Sequence, residues 1–563
     1  MKNFHERVTF AVDAAGQTVS VINSRGYITT STYDEVGRQV ETINPDGGTS
    51  TMYYDGAGRN IAYEDQLGYL STTVYDNASR PVNSESPDGA VTTTTYDAAG
   101  REVSFEDPLG NTSQTHYDAA GQVVSTINAL GFVSTYTYDG IGNLKTSENP
   151  RGMVTTNAYD ALGRMKSTQN AAGYYTSYTY DEVGNQTEIT DARNAVITMA
   201  YDLRGSMTSI ENQLGNVTTY AYDAIGQTKT REFASGDVTT YSYDANGMET
   251  SRQYMDDSRV TFTYESNLMT EMSDSTGVTT YSYDNMGRLS GKTDPGSLVQ
   301  SYQYDVAGQR TTLTDPDGVD RVYGYDGNGR LVSFEDTDSE DGYTNEYDLA
   351  GRLTTTTYTN SSVDKGDELT TYDAAGQPLV KTTRASGVIK TIVTYTYDGN
   401  GNPATKKTED GYVQTLQYDR VDRLTTVINT GPQNFTWWYT FDAVGNRTNA
   451  NEWSGGTPYT YNLSGQPVTS VYIGAGNKTS TYTYDVNGNL IGVEGYIPPS
   501  GAPVAVDIEN TYDYENRLLT NKNVADGSIV TYTYSGDGLK RSETTSSGTT
   551  TLVWDGDEYL GEV

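Results

Sequence analysis

The chain contains no cysteine and only two histidines among its 563 residues. The absence of cysteine excludes disulfides, thiolate metal sites and thiol catalysis. Two scattered histidines are too few for a Ser-His-Asp triad or a histidine metal site. No phosphate-binding loop or dinucleotide fingerprint lies between a strand and a helix. We therefore predict no catalytic residue, no cofactor-binding residue and no cofactor, and we do not expect an enzyme.

Basic residues are also scarce. The chain has 37 Lys and Arg residues and 74 Asp and Glu residues, which gives a formal net charge of −37. Binding to phosphate backbones or anionic membranes needs basic patches, so we expect no nucleic-acid partner. The sequence has no apolar run long enough to span a membrane, and Met1 to Phe10 lacks the apolar core of a signal peptide. The charge favours a large soluble body of the secreted or cell-surface kind.

Aliphatic residues are too few for an ordinary core, because hydrophobic residues make up only 35% of the chain. Its 49 tyrosines are the expected replacement, since each supplies buried area and a hydroxyl that needs a partner. The tyrosines recur at a fixed step of 21 residues, from Tyr33 and Tyr54 onward to Tyr264. A period of this length indicates a repeat architecture. The repeat also runs into both ends of the chain, so we expect a fragment of a larger protein.

Each repeat is predicted to form one β-hairpin. In one example, residues 133–138 (Val-Ser-Thr-Tyr-Thr-Tyr) are typical of a half-buried strand. Asp139-Gly140-Ile141-Gly142 then closes a tight turn, and residues 143–147 return as a second strand. Helix is excluded because Gly and Pro interrupt every candidate segment. We predict an all-β fold of roughly 50 strands, in which tandem hairpins of about 21 residues wind into a continuous antiparallel spiral ribbon that forms a hollow barrel or shell.

The residues that define the repeat are a Tyr-Asp pair, a Gly three places after the Asp, and an Arg or amide next to that Gly. Because the Asp–Arg pair recurs many times, we interpret it as structural rather than catalytic: the Arg can bond its own Asp or the neighbouring repeat. The defining residues include Tyr33, Asp34, Gly37, Arg38, Tyr96, Asp97, Gly100, Arg101, Tyr159, Asp160, Gly163, Arg164, Tyr283, Asp284, Gly287 and Arg288.

The spacing divides the chain into two parts. Residues 1–270 keep the regular 21-residue step, and residues 271–563 continue the same repeats with irregular steps and loop insertions. We expect the second part to be continuous with the first. Insertions on a fixed scaffold are where binding usually resides.

Two segments are candidate binding sites. An acidic loop offers alternate oxygens to calcium, although its glycine comes one place late and no Glu occupies the twelfth position; a solvated loop is the alternative. Its candidate ligands are Asp336, Asp338, Glu340 and Asp341. An aromatic segment could bind sugars or a protein, or could fill the barrel as a plug. Its side chains are Phe435, Trp437, Trp438 and Tyr439.

The Tyr-Asp-x-x-Gly-Arg units at residues 33, 96, 159 and 283 resemble the signature of the YD-repeat, or Rhs-repeat, family. The family includes bacterial Rhs toxins, shell components of insecticidal toxin complexes, wall-associated proteins and the teneurins. The resemblance implies a hollow β-shell, which in toxin members encloses a C-terminal toxic domain and in others serves adhesion. Residues 551–557 resemble the lead-in to the self-cleaving core segment of toxin members, but no protease residue can be assigned.

Two functions remain open from the sequence. The first is a non-enzymatic shell or scaffold that encloses or supports a cargo or neighbouring toxin domain of a secreted or cell-surface bacterial protein. The second is a surface adhesin or self-assembling fibre that binds glycans or cell-surface partners, with copies stacked end to end through open ribbon ends.

Overall fold

The computed structural model describes residues 8–361, 363–452, 456–473, 477–497 and 504–562. These residues form 52 β-strands, which belong to one antiparallel sheet, and they include no helix. It follows that no helix in these ranges is long and apolar enough to cross a membrane. The predicted all-β fold of tandem hairpins is confirmed.

The strands of the regular repeats are short. In chain order they are β1 Thr9–Val12, β2 Thr18–Ile22, β3 Ile28–Tyr33, β4 Gln39–Ile43, β5 Thr49–Tyr54, β6 Asn60–Glu64, β7 Leu70–Tyr75, β8 Pro81–Glu85, β9 Val91–Tyr96, β10 Glu102–Glu106, β11 Thr112–Tyr117, β12 Val123–Ile127, β13 Val133–Tyr138, β14 Leu144–Glu148, β15 Val154–Tyr159, β16 Met165–Gln169, β17 Tyr175–Tyr180, β18 Gln186–Thr190, β19 Val196–Tyr201, β20 Met207–Glu211, β21 Val217–Tyr222, β22 Thr228–Glu232, β23 Val238–Tyr243, β24 Glu249–Gln253, β25 Arg259–Glu265 and β26 Leu268–Asp274.

The later strands vary more in length and reach ten residues. They are β27 Gly277–Tyr283, β28 Leu289–Asp294, β29 Leu298–Tyr304, β30 Arg310–Thr314, β31 Asp320–Tyr325, β32 Leu331–Asp336, β33 Asp341–Tyr347, β34 Leu353–Asn360, β35 Val363–Tyr372, β36 Pro378–Ala385, β37 Val388–Tyr397, β38 Pro403–Thr408, β39 Val413–Tyr418, β40 Leu424–Thr430, β41 Phe435–Phe441, β42 Arg447–Asn451, β43 Thr457–Tyr461, β44 Pro467–Tyr472, β45 Lys478–Tyr484, β46 Leu490–Ile497, β47 Val504–Tyr512, β48 Leu518–Asn523, β49 Ile529–Tyr534, β50 Lys540–Thr545, β51 Gly548–Asp555 and β52 Glu558–Glu562.

Consecutive strands pair antiparallel in a repeating register. Strand β9 pairs with β10 so that Tyr96 faces Glu102 and Thr95 faces Ser104, which leaves one extra residue as a β-bulge beside the turn. Strand β10 then pairs with β11, with Ser104 opposite Gln114. The same bulge recurs where each hairpin tyrosine meets its partner strand, for example in β15–β16 and β19–β20. Bulges of this kind increase the local twist of a ribbon.

The two faces of the ribbon alternate in exposure. Along β13 the pattern is exposed then half-buried, with Tyr136 and Tyr138 on the half-buried face. Few of the described side chains are completely buried, and most of these lie in the later repeats; Met272 and Leu313, for example, are 0% exposed. A half-buried tyrosine face thus replaces an aliphatic core along much of the chain.

The chain forms two compact units. Unit 1 comprises residues 1–135, 264–271 and 279–396, and unit 2 comprises residues 136–263, 272–278 and 397–563. Each unit therefore combines an early and a late stretch of ribbon. The division of the sequence at residue 270 concerns repeat length, and its status as a domain boundary stays a prediction.

Within each unit, the early and late stretches lie edge to edge. We call the turn after each hairpin tyrosine the YD turn, and the turn that leads to the next hairpin the second turn. In unit 1, Asn285 of a late YD turn donates to the Pro45 carbonyl of an early second turn at 2.8 Å. In unit 2, the backbone N–H of Ser235 in an early second turn donates to Asn487 of a late YD turn at 3.0 Å. The contact is thus made by the same two kinds of edge in both units.

Candidate functional site

The YD turn is closed by its own backbone and by the aspartate carboxylate. In the turn that begins at Asp97, the Gly100 N–H donates to the Asp97 carbonyl at 3.0 Å, and the Asp97 N–H donates to the Arg101 carbonyl at 2.9 Å. Oδ1 of Asp97 accepts the N–H groups of Ala99 at 2.8 Å and Arg101 at 3.0 Å. Gly100 has a φ of 85°, a left-handed conformation that glycine adopts without steric cost.

The arginine after the glycine clamps its own repeat to the next. The guanidinium of Arg101 contacts Oδ2 of Asp97 through Nε at 2.7 Å and Nη2 at 2.6 Å. Its Nη1 donates to the Asp118 carbonyl of the following YD turn at 3.1 Å. The same guanidinium lies 4.6 Å from the ring centroid of Tyr117, a cation–π contact. One side chain therefore joins two successive turns.

The clamp recurs with little change. In each case the distance from Nη1 to the carbonyl oxygen of the next turn is between 2.9 and 3.2 Å. The clamping residues include Arg38, Arg59, Arg80, Arg101, Arg164 and Arg288. The structural interpretation of the Asp–Arg pair fits this geometry.

The hairpin tyrosine supplies a second link between repeats. The Tyr96 hydroxyl donates to the Pro81 carbonyl at 2.8 Å, and the Tyr159 hydroxyl donates to the Leu144 carbonyl at 2.9 Å. Tyr283 makes the equivalent bond to the Met269 carbonyl at 2.8 Å. Each tyrosine thereby buries its ring and satisfies its hydroxyl on the preceding hairpin.

Where an amide replaces the arginine, it can bond its own turn or the next turn, and the two examples here each show one of these bonds. Asn143 donates to its own Asp139 at 3.0 Å. Gln466, with a longer side chain, donates to the Gly488 carbonyl of the next turn at 2.9 Å. Because neither amide carries charge, we expect these repeats to be joined less strongly than the arginine repeats.

The aspartates of three YD turns have lowered pKa values, and each accepts several hydrogen bonds. The backbone N–H of Arg101, followed by its guanidinium, holds the pKa of Asp97 below its usual value. The same causes lower the pKa of Asp55 and Asp76, each through the arginine of its own turn. A carboxylate in this state is a poor general acid, and its lone pairs are already used. The repeating site therefore supports structure rather than proton transfer.

A second set of arginines joins the early and late stretches, and the sequence did not single these residues out. In unit 2, Arg151 donates to the carbonyls of Asp419 at 3.1 Å and Tyr418 at 3.3 Å. Arg193 donates to the carbonyls of Asn462 at 3.2 Å and Leu463 at 2.6 Å.

Unit 1 has an equivalent residue in Arg25, which donates to the Tyr283 carbonyl at 3.2 Å and to the Asp284 carbonyl. All three arginines occupy the third position of a second turn, as in Asn149-Pro150-Arg151-Gly152. An arginine at this position of a second turn was the sequence feature from which these contacts could have been suspected.

The calcium candidates lie in the turn between β32 and β33. Oδ1 of Asp336 accepts the N–H groups of Asp338 at 3.1 Å and Ser339 at 3.0 Å. Asp341 accepts from Asn360 at 2.9 Å, and Glu340 accepts from the Ser361 hydroxyl. No group of three or more Asp, Glu or His side chains in the described part of the chain is arranged to hold a metal ion. Calcium binding at this loop stays a prediction.

The aromatic candidates are split between the two faces of β41. Phe435 and Trp437 stack with ring centroids 4.3 Å apart, and Tyr439 follows on the same half-buried face. Trp438 lies on the opposite face and is 37% exposed. The hydroxyl of Tyr439 donates to Glu452 at 2.8 Å, and burial together with this bond raises the pKa of Tyr439 to about 12. The four side chains do not form one platform, and sugar or protein binding here stays a prediction.

Two protein-family models match the chain. The Teneurin YD-shell model matches residues 90–212 and 342–492, and the RHS Repeat model matches residues 12–49, 222–259, 264–299 and 287–320. Repeats of the YD-repeat, or Rhs-repeat, kind therefore make up most of the chain. The resemblance carried by its Tyr-Asp-x-x-Gly-Arg units is confirmed.

Solved structures of toxin-complex proteins share the fold. TcdB2-TccC3 is 16% identical with a TM-score of 0.55, and the match covers 97% of this chain and 39% of that one. TcdB2-TccC3 without its hypervariable C-terminal region is 14% identical with a TM-score of 0.58, covering 98% and 41%. The Tc holotoxin pore of Photorhabdus luminescens, with a mutated TccC3, is 16% identical with a TM-score of 0.50, covering 97% and 31%. The YD-repeat chain thus spans well under half of these chains, and at such identities the likeness shows the fold alone. A comparison with curated proteins found no match.

Proposed function

We propose that this YD-repeat chain is a non-enzymatic structural shell that encloses or supports a polypeptide, as part of a secreted or cell-surface protein. The observation that carries the proposal is the clamp of the YD turns. In the arginine repeats the recurring charged groups are used to join turn to turn, as Arg101 joins Asp97 to Asp118. A wall built in this way needs no catalytic residue.

Edge-to-edge contacts within the units support the same function. In unit 1, Arg330 of a late YD turn pairs with Asp88 of an early second turn at 3.0 Å. In unit 2, Arg231 pairs with Glu515 at 2.7 Å. Contacts of this kind turn a narrow ribbon into a wider wall, because each stretch covers one edge of the other.

The proposed partner is a polypeptide cargo or neighbouring domain, with a toxin domain as the more specific proposal. Support comes from two similar structures: one is a Tc holotoxin pore, and the other contains TcdB2-TccC3 together with Cdc42, with a TM-score of 0.50 at 14% identity. The present chain has a comparable fold and matches about a third of the length of those chains.

Protease protection tests the proposal. A small protease-sensitive polypeptide is joined to the C-terminus of the full chain, and the fusion is treated with increasing amounts of thermolysin. We expect the joined polypeptide to survive protease concentrations that completely digest its free form, since an enclosing wall excludes the protease. Native mass spectrometry and cryo-electron microscopy of the same fusion locate the protected mass.

The control joins the same polypeptide, through the same linker, to a globular protein of similar size. Digestion of the chain's fusion at the rate of this control, with the polypeptide visible outside the wall, would contradict enclosure.

A further inference from the structure

Unit 2 contains a cavity of about 600 Å³ where its early and late stretches meet. The early stretch contributes the second turn around Tyr254 and the start of β25. The late stretch contributes the YD turns that begin at Asp513 and Ser535. A volume of this size is typical of ligand sites and has room for a short peptide segment.

Aromatic side chains dominate the apolar part of the wall. The rings of Tyr254 and Tyr514 stack across the two stretches, with centroids 5.9 Å apart and planes 11° from parallel. Tyr512, Tyr532 and Tyr534 also line the cavity. The face of an aromatic ring carries negative charge density and attracts cations.

The charged part of the wall is predominantly acidic. Five carboxylates line the cavity, namely Asp237, Asp256, Asp274, Asp513 and Glu515, against the two guanidinium groups of Arg259 and Arg517.

Both arginines already have partners, and one of these partners is a carboxylate of the cavity wall. Arg517 contacts Asp513 at 2.6 Å and donates to the Ser535 carbonyl at 2.9 Å. Arg259 donates to Gln253 at 2.7 Å. Neither guanidinium is therefore placed to neutralise the remaining carboxylates.

The Glu515 carboxylate is only partly compensated. Its Oε2 pairs with Arg231 at 2.7 Å, and its Oε1 is buried beyond the reach of that ion pair. Burial, followed by the charge of Glu515, raises the pKa of Tyr254, so this hydroxyl stays protonated near neutral pH. The wall therefore combines neutral aromatic rings with a surplus of negative charge.

We propose that this cavity binds a basic peptide segment, with a lysine or arginine side chain held against the tyrosines and the carboxylates. A cation gains from both features at once, whereas an anion is repelled and a neutral side chain gains only the apolar contact. The inference rests on the proposed function and specifies it: the cavity would contact a basic segment of the polypeptide that the wall supports.

Calorimetric titration of the full chain with short peptides tests this assignment. The probes are acetyl-Gly-Lys-Gly-Lys-Gly-amide and the matched peptide with norleucine in place of lysine, in about 0.15 M salt to screen the remote charges. We expect the lysine peptide to bind at least about tenfold more tightly, because norleucine keeps the apolar stem and lacks the charge. Equal affinity of the two peptides, or no binding by either, would overturn the proposal.

Two neighbouring aspartates provide a matched pair of variants. Asp256 lines the cavity and Asp257 does not, although both lie in the same turn. Each accepts its hydrogen bonds through Oδ1, which an asparagine retains. We expect Asp256→Asn to weaken lysine-peptide binding about threefold to fivefold and Asp257→Asn to change it less than about twofold. Equal losses in both variants would show general attraction to an acidic protein and would refute the site.

Two substitutions of Tyr254 distinguish loss of the aromatic contact from loss of folding. Tyr254→Phe keeps the ring and should bind as the unchanged chain does, whereas Tyr254→Leu should weaken binding about fivefold or more. Circular dichroism confirms that both variants fold. Failure of these titrations would leave enclosure, which the protease assay tests separately, unaffected.

Discussion

Removal of the Arg151 side chain should loosen one contact between the two stretches of unit 2 without disturbing the hairpin that carries it. Arg151 is 18% exposed and donates to the carbonyls of Tyr418 and Asp419. It also pairs with Asp398 at 3.3 Å and with Asp422. The change Arg151→Met retains the apolar stem and removes the charge together with every one of these bonds.

The magnitude follows from those contacts. A hydrogen bond that involves a charged group contributes about 1.5–3 kcal/mol when well formed. The two bonds to carbonyls are long, at 3.1 and 3.3 Å, and the Asp422 side chain is 36% exposed, so water screens part of the gain. Loss of the guanidinium also leaves Asp398 and Asp422 without its compensating charge. We expect a local cost of about 2–4 kcal/mol.

Hydrogen exchange measured by mass spectrometry reports this cost where it occurs. Peptides that cover residues 413–424 should exchange roughly 30- to 1,000-fold faster at amides that open with the contact. The control is Arg204→Met: Arg204 is 48% exposed and bonds to Asp202, Asp223 and Ala224 of its own stretch. Exchange of residues 413–424 that is unchanged in Arg151→Met, or equally raised in Arg204→Met, would refute the reasoning.

Three further predictions concern the turn, the core and acid stability. Gly58→Ala forces alanine to a φ of 84° and should destabilise the chain by roughly 1–2 kcal/mol. Gly56→Ala lies in the same turn, where the new methyl group meets open space and φ is not positive, so it should stabilise the chain by about 0.4–1 kcal/mol. Urea unfolding of the two variants checks both signs. Leu313→Ala should cost about 2–5 kcal/mol because Leu313 is 0% exposed, and Val183→Ala, at 85% exposure, should lie within about 0.5 kcal/mol of the unchanged chain in the same assay. Burial alone would raise the pKa of Asp88, but hydrogen bonds from its neighbours and the charge of Arg330 lower it from 3.8 to about 2. A depressed pKa stabilises the folded chain above the unfolded value, so this contribution should be lost as pH falls from about 4 to about 2, and melting curves of Asp88→Asn should lack that part of the pH dependence.

The hairpin and its turn could be predicted because their contacts are local. Asp97 bonds residues two and four places ahead, and Gly100 takes its φ within the same turn. The faces of β41 could also have been inferred, because side chains alternate along a strand and Trp438 must oppose Trp437 and Tyr439. Sugar binding, protein contact or a plug at this segment therefore stays a prediction for side chains on two faces.

The arginines that join the two stretches could not be paired from sequence. Arg151 occupies an ordinary second turn, and its hydrogen-bond partners Tyr418, Asp419 and Asp422 lie 267 to 271 residues further on. Which late YD turn lies beside it depends on the curvature that many bulged hairpins accumulate, and no single repeat encodes that sum. The cavity beside Tyr254 and Tyr514 has the same origin, since its walls come from both stretches.

The 21-residue repeat by itself determined the strand order, the turns and the roles of Tyr, Asp, Gly and Arg, because each acts within one hairpin or on the next. Tertiary structure alone decided which early turn meets which late turn, across 240 to 284 residues, and where those contacts leave a cavity. The physical reason is the distance along the chain over which each interaction acts. Turn geometry is set by dihedral angles and short hydrogen bonds, whereas contact between distant stretches is set by the accumulated twist of the ribbon between them.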